Sequence, residues 1–225
     1  MSKIISETEL SLIKEAAADF RYLLARGYPR PGALALVGNR YQLAHAARQL
    51  LHRGVFAPDA ARGRRAKLRL LQDLAGQALG IDGHNVLITL ECGLRGLPLV
   101  AADDGFIRDV GQVSRAFRAS PETDQALMLL ANYLVERQTG PVSVFYDAPL
   151  SKSGELAQRT RELWTDRGLA VTAQALAVPE KELLTFPGPI AGSDTALIDA
   201  REVVVDLAGE IIQREGWPVL ELAEP

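Results

Sequence analysis

Two patterns of apolar and polar positions divide the chain. Leu10, Ile13, Ala17, Phe20, Leu23 and Leu24 recur at helical spacing behind Glu7-Thr8-Glu9, which predicts an amphipathic helix over residues 7–26. Gly27-Tyr28-Pro29-Arg30-Pro31-Gly32 stops it. A second helix is expected from near Pro31, and a third after Gly38-Asn39-Arg40, with Leu43, Ala47, Leu50 and Leu51 on one face. Gly54–Gly63, with Pro58 inside, reads as a loop, and Arg62–Gln77 as a further, strongly basic helix. From about residue 78 short apolar runs alternate with helical stretches, the pattern of βα units around a mostly parallel sheet. Strands are expected at Ala78–Ile81, Leu97–Ala101, Val142–Tyr146, Ala170–Ala175 and Val203–Asp206, with Pro218–Leu222 as a last edge strand. Helices are expected at Asn85–Leu94, Glu122–Arg137, Gly154–Arg167, Thr195–Ile198 and Gly209–Glu215. The organisation predicted is a helical N-terminal module, residues 1–72, followed by an α/β domain, residues 73–225.

Composition narrows the function classes. An apolar fraction of 48% supplies a core and weighs against disorder. A single cysteine, Cys92, excludes an internal disulfide and a multi-cysteine zinc site, and His45, His52 and His84 are too scattered for a histidine cage. No stretch approaches the ~20 apolar residues of a membrane span, and Met1–Glu7 holds no apolar run of a signal peptide, so a cytoplasmic location with no membrane partner is expected. Charge is segregated. Residues 1–72 carry 13 Lys and Arg against 5 Asp and Glu, whereas residues 73–225 carry 12 against 23. Either the two pieces neutralise each other, or a basic phosphate-binding region stands beside an acidic metal-binding one.

The aspartates fall at strand ends. Asp82 follows Ile81, with Gly83 permitting a sharp turn into a helix; Asp147 follows Val144-Phe145-Tyr146; Asp206 closes Val203-Val204-Val205. Asp194, after the Gly188–Gly192 loop, precedes the short helix 195–198. In open parallel sheets ligands bind beyond the carboxyl ends of the strands. Carboxylates gathered there repel one another, and a hard divalent cation such as Mg²⁺ or Mn²⁺ resolves the conflict and can activate water at a phosphodiester. Each aspartate taken alone also suits a helix N-cap.

Ile81-Asp82-Gly83-His84-Asn85-Val86 resembles the Ile-Asp-Gly-x-Asn opening of the NYN branch of PIN-like ribonucleases. Tyr146-Asp147-Ala148-Pro149, then Ser193-Asp194-Thr195-Ala196-Leu197-Ile198-Asp199, then Val203-Val204-Val205-Asp206 are similar in order to the later elements of those domains. The resemblance covers about residues 78–222. It implies a PIN/NYN-like (Rossmann-like) α/β sandwich with a central, mostly parallel sheet. It also implies RNA as partner and Mg²⁺ or Mn²⁺ as cofactor, with Asp82, Asp194 and Asp206 as metal ligands. Asn85 would hold the first loop or touch phosphate. Such domains often dimerise, so a homodimer is within what the resemblance implies. Here Val205-Asp206-Leu207-Ala208-Gly209 carries one acid where the family usually has two. The whole chain also resembles a prokaryotic family known as domain of unknown function 434. The resemblance rests on Arg26-Gly27-Tyr28-Pro29, Leu36-Val37-Gly38-Asn39-Arg40-Tyr41, Asp104-Gly105-Phe106-Ile107-Arg108-Asp109 and Asp147-Ala148-Pro149-Leu150-Ser151-Lys152-Ser153-Gly154.

Further candidates accompany the acids. Ser151 and Ser153, at a helix start, suit a phosphate or an ordinary cap. Arg108, between Asp104 and Asp109, suits substrate or a structural ion pair; Arg40 beside Tyr41 suits nucleic acid or plain solvation. The reading drawn is metal-dependent phosphodiester hydrolysis by Asp82, Asp147, Asp194 and Asp206. Its alternatives are an inactive RNA-binding adaptor, and a metal-dependent phosphatase or phosphotransferase with Asp147 as nucleophile.

Overall fold

A computed structural model describes residues 6–110, 118–148, 150 and 152–222. In chain order the helices are α1 (Glu7–Ala25), α2 (Arg30–Arg40), α3 (His45–Gly54), α4 (Pro58–Arg65), α5 (Gly83–Leu94), α6 (Pro121–Glu136), α7 (Ser153–Thr165), α8 (Pro179–Thr185), α9 (Thr195–Ala200) and α10 (Leu207–Glu215). The strands are β1 (Leu79–Asp82), β2 (Leu99–Ala101), β3 (Ile107–Asp109), β4 (Val142–Asp147), β5 (Val171–Leu176), β6 (Ile190–Ala191), β7 (Val204–Val205) and β8 (Leu220–Glu221). No helix among the described residues is long and apolar enough to cross a membrane.

These elements fall into two compact units, and the chain passes between them repeatedly. The first takes residues 1–66, 96–111 and 218–225; the second takes 67–95 and 112–217. In the first unit, the apolar faces of α1, α2 and α3 (Ile13, Phe20, Val37, Leu50 and Leu51) share a core with Val100, Val110 and Leu222. Val100 lies in β2, and Val110 and Leu222 directly follow β3 and β8, in a small sheet of order β3-β2-β8 in which β2 runs antiparallel to β3 and parallel to β8. Gly54 closes α3 against it: a Cβ there would stand 2.8 Å from Val100 and 3.0 Å from Leu222. Two expected strands, Leu97–Ala101 and Pro218–Leu222, therefore belong to this sheet rather than to the parallel one. They are needed here because three amphipathic helices leave an apolar face that must be covered.

This partition also redistributes charge. Counted by unit, the first holds 12 Lys and Arg against 10 Asp and Glu, and the second 13 against 18. Residues 96–111 deliver Asp103 to Arg21 at 2.8 Å, Asp109 to Arg53 at 3.0 Å and Asp104 to Arg64 at 3.5 Å. Neutralisation of the basic helices thus occurs inside the first unit.

The second unit is built on a fully parallel five-stranded sheet of order β5-β4-β1-β6-β7. Helices α5, α6, α7 and α10 pack among themselves, and α8 lies on β1 and β4. The first two sheet connections step one way from β1, to β4 and then β5, and the later ones the other way, to β6 and β7. The order therefore reverses between β1 and β6, and it is beyond the carboxyl ends of strands at such a reversal that open parallel sheets bind ligands.

Three other expectations are corrected. Residues 54–63 are not a loop, because Pro58 sits in the first turn of α4, where its missing N–H costs nothing. The helix expected over 62–77 ends at Arg65: Lys67–Arg69 run extended beside β7, with Arg69 N–H on the Val204 carbonyl at 2.9 Å, and only a 3₁₀ turn, Leu71–Leu74, follows. The strands β3 and β6 and the helix α8 were not anticipated, being two to seven residues long.

Candidate active site at the carboxyl edge of the parallel sheet

The turn from β1 into α5 is fixed by the smallness of its glycine. A Cβ on Gly83 would stand 2.3 Å from the ring of Tyr146, which is buried on β4 with its hydroxyl 2.8 Å from Thr160 Oγ1. Asp82 caps α5, accepting from the Asn85 N–H at 3.3 Å. On the other side of the reversal, Gly192 follows β6; a Cβ there would lie 3.2 Å from that of Asp82. Asn85 Oδ1 then accepts from Ser193 N–H at 2.8 Å and lies 3.0 Å from Ser193 Oγ. Asn85 therefore ties the first loop to the loop that carries Asp194.

Asp82 is the electrostatic centre. Burial, opposed by the Asn85 N–H and reinforced by the charges of Asp147, Asp194 and Glu180, raises its carboxyl to about 7. Asp194 is exposed and caps α9, with Oδ1 2.9 Å from Ala196 N and 3.1 Å from Leu197 N. Asp147 ends β4. Its backbone N–H donates to His84 Nδ1 at 2.9 Å, and its own Oδ2 stands 3.2 Å from that atom. An Nδ1 that accepts a backbone N–H leaves the ring proton of a neutral imidazole on Nε2. Burial lowers the His84 pKa, against the pull of Asp147, so His84 reads as a neutral support for the β4 end. Ser153 is buried, with Oγ 2.6 Å from the Asp147 carbonyl and 2.7 Å from that of Leu150, which makes it part of the α7 entry.

Glu180 was missed by sequence reasoning. It follows β5 by four residues in the first turn of α8, too far past the strand for the strand-end rule that found Asp82 and Asp147.

Asp206 is buried at the carboxyl end of β7, where its Oδ1 accepts from Gly209 N–H at 3.0 Å and caps α10. The remaining expected residues stand as follows. Ser151 lies outside the described residues. Arg108 and Arg40 belong to the first unit. Arg108 is 2% exposed and joined to Asp104 at 2.7 and 2.9 Å, which favours the structural ion pair named as its alternative over a place on an open substrate surface. Arg40 is exposed, 3.5 Å from Asp19. The Asp199 carbonyl accepts from Lys67 Nζ at 2.7 Å. Among the described residues, no three His, Cys, Asp or Glu side chains stand close enough to hold a metal ion as they are placed.

Comparison with known proteins divides the chain much as the sequence does. Residues 71–210 match the family described as Domain of unknown function (DUF5616), and residues 12–67 match Protein of unknown function (DUF434). The second resemblance thus covers the N-terminal helices rather than nearly the whole chain. An uncharacterised protein of Methanocaldococcus jannaschii is 33% identical over 204 residues, spanning 89% of this chain and 97% of that protein. No solved structure matches the chain.

Proposed function

The chain belongs to the DUF5616 family, and from that premise we propose that its parallel-sheet unit is a PIN/NYN-like domain acting as a divalent-metal-dependent ribonuclease. One observation carries the reading: Asp82, at the strand-order reversal, is a half-buried carboxylate on which the charges of Asp147, Asp194 and Glu180 all act. Oxygen-only donors at such a point suit Mg²⁺ or Mn²⁺. Asp82 and Asp194 would hold the ion and Asp147 would complete or orient the set, once the carboxylates draw closer than they stand without it. The ion's chemistry would be activation of water and neutralisation of charge on a phosphodiester. Asp206, the third ligand the resemblance implies, caps α10 at the next strand end but one.

The decisive experiment is cleavage of a mixed pool of structured and single-stranded RNA with Mn²⁺ or Mg²⁺, run beside Asp82→Asn and an EDTA control. Metal-dependent cutting that the substitution abolishes is expected. Absence of cutting at any metal concentration, with folded protein, would sink the nuclease reading. The single acid at Val205-Asp206-Leu207, where the family pattern carries two, favours one second reading, an RNA-binding adaptor that has lost activity. It predicts RNA retention that needs no metal and survives Asp82→Asn.

A further inference from the structure

In the first unit, α1 has a second face besides the one that fills the core. The core face uses Ile13, Ala16, Ala17 and Phe20. Leu12, Glu15, Asp19, Tyr22 and Arg26 follow one another at steps of three and four residues, which aligns them along a different side of the helix. Beside this side runs α2, and between the two helices lies a groove of about 340 Å³. Leu23 and Val37 line its floor, and Tyr22, Leu36, Asp19 and Arg40 its edges. Tyr22 is 60% and Leu36 57% exposed, more than any other large apolar side chain among the described residues. Large apolar groups gathered on a solvated surface mark a site of association.

Charge is ordered along the same side of α1. Glu15 and Asp19 stand before Tyr22, and Arg26 stands at the end of the helix. Neither Glu15 nor Arg26 is held in an ion pair among the described residues; the Arg26 guanidinium lies 5.1 Å from the centroid of the Tyr22 ring. The two acids repel a phosphate backbone, which weighs against nucleic acid on this face. A second copy of the chain, laid antiparallel, meets it with opposite charge. A two-fold axis crossing α1 between Phe20 and Arg21 sets Glu15 opposite the second copy's Arg26, and Asp19 opposite the second copy's Tyr22. Symmetry makes each contact twice. A parallel arrangement would set Glu15 against Glu15. Two-fold contacts require a self-complementary patch, and this one has an apolar centre with opposite charges at its two ends.

We propose that this face of α1, with Leu36 of α2, is the interface of a homodimer in which the two α1 helices pair antiparallel. Tyr22 and Leu36 supply the buried apolar area, and tyrosine and arginine are residue types that dominate such contacts. The Glu15–Arg26 pairs set direction and register more than affinity, because exposed ion pairs contribute little. The surface belongs to the first unit, outside the residues that resemble PIN-like domains, and stands whether or not the second unit cuts RNA.

The test is sedimentation of the full chain over a wide range of concentration, with circular dichroism to confirm that each variant is folded. A concentration-dependent equilibrium between monomer and dimer is expected for the wild type. Leu36→Glu is expected to raise the dimer dissociation constant about tenfold or more, as loss of a central apolar contact does. Tyr22→Ser provides a second variant at the same patch. Glu15→Arg and Arg26→Glu each set like charges opposite one another and are expected to weaken the dimer. The double variant Glu15→Arg/Arg26→Glu is expected to regain it, a rescue that requires the two positions to face each other across the axis. A wild type that stays monomeric at every concentration would overturn the proposal. So would a dimer that Leu36→Glu and Tyr22→Ser leave intact, or a double charge exchange no better than the single ones. Retention of single-stranded RNA by a monomeric wild type, lost in Tyr22→Ser, would reassign the face to nucleic acid.

Discussion

Asp82 carries its negative charge at a cost, and the cost has a pH signature. Its folded-state pKa, about 7, lies above the 3.8 of an unperturbed aspartate. The folded protein thus binds this proton more tightly than the unfolded chain. The group's contribution to stability is fully present below about pH 4 and is lost as pH rises through 7. Asn in its place keeps an oxygen for the Asn85 N–H and removes the charge. Asp82→Asn is therefore expected to match wild type near pH 4 and to exceed its stability by ~2 kcal/mol at pH 8, after allowance for solvent access. Urea unfolding of both proteins between pH 4 and 8 measures this; curves that stay parallel would show that the carboxylate is not destabilised by its site. The residues behind this effect were legible in the sequence only in part. Asp82 and Gly83, at an expected strand-to-helix turn, read as a cap and a tight turn from the local pattern, whereas a holding role for Asn85 came only from the resemblance. Glu180 has no such signature, because its proximity to Asp82 arises from the fold and not from the local pattern.

Strands of four and six residues with apolar runs, β1, β4 and β5, announce themselves along the chain, and so do the long helices α1, α5, α6 and α7. The two-residue β6 does not, since Pro189-Ile190-Ala191-Gly192 is too short to show any period. Yet β6 sets the site, being the neighbour of β1 on the side where the strand order reverses. Its register past Ala191 is held to the β1–α5 turn by Asn85, whose Oδ1 serves both donors of Ser193. Asn85→Ala removes that acceptor and should cost about 1–3 kcal/mol, since a buried backbone N–H loses its partner. Faster hydrogen exchange at the Ser193 amide is expected with it, together with a fall in the Asp82 pKa as Asp194 moves away. Unchanged exchange at Ser193 would mean that the β6 pairing alone holds this loop.

At the scale of the molecule, periodicity predicts a helical module and a sheet domain joined once near residue 72, whereas the folded units exchange the chain at several places. Periodicity identifies which segments are helical or extended, but not which core each strand completes. Leu97–Ala101 and Val142–Tyr146 read alike in sequence, yet the first covers α1–α3 and the second lies inside the parallel sheet, between β5 and β1. The charge asymmetry held the missing clue: a segment bearing net +8 over residues 1–72 invites acidic neighbours, and Asp103, Asp104 and Asp109 are those neighbours. A fragment of residues 1–72 is thus expected to fail as an independent domain. It lacks Val100, Val110 and Leu222 from its core, and Arg21 and Arg53 would face their own like charges without Asp103 and Asp109. Its helices should give partial helical circular dichroism, with a broad, non-cooperative thermal transition and poorly dispersed amide resonances. The full chain should melt with a sharp transition. A sigmoidal melt and dispersed amides for the fragment would show that α1–α4 fold without β2, β3 and β8, and that the small sheet is an accessory to the helical core rather than half of it.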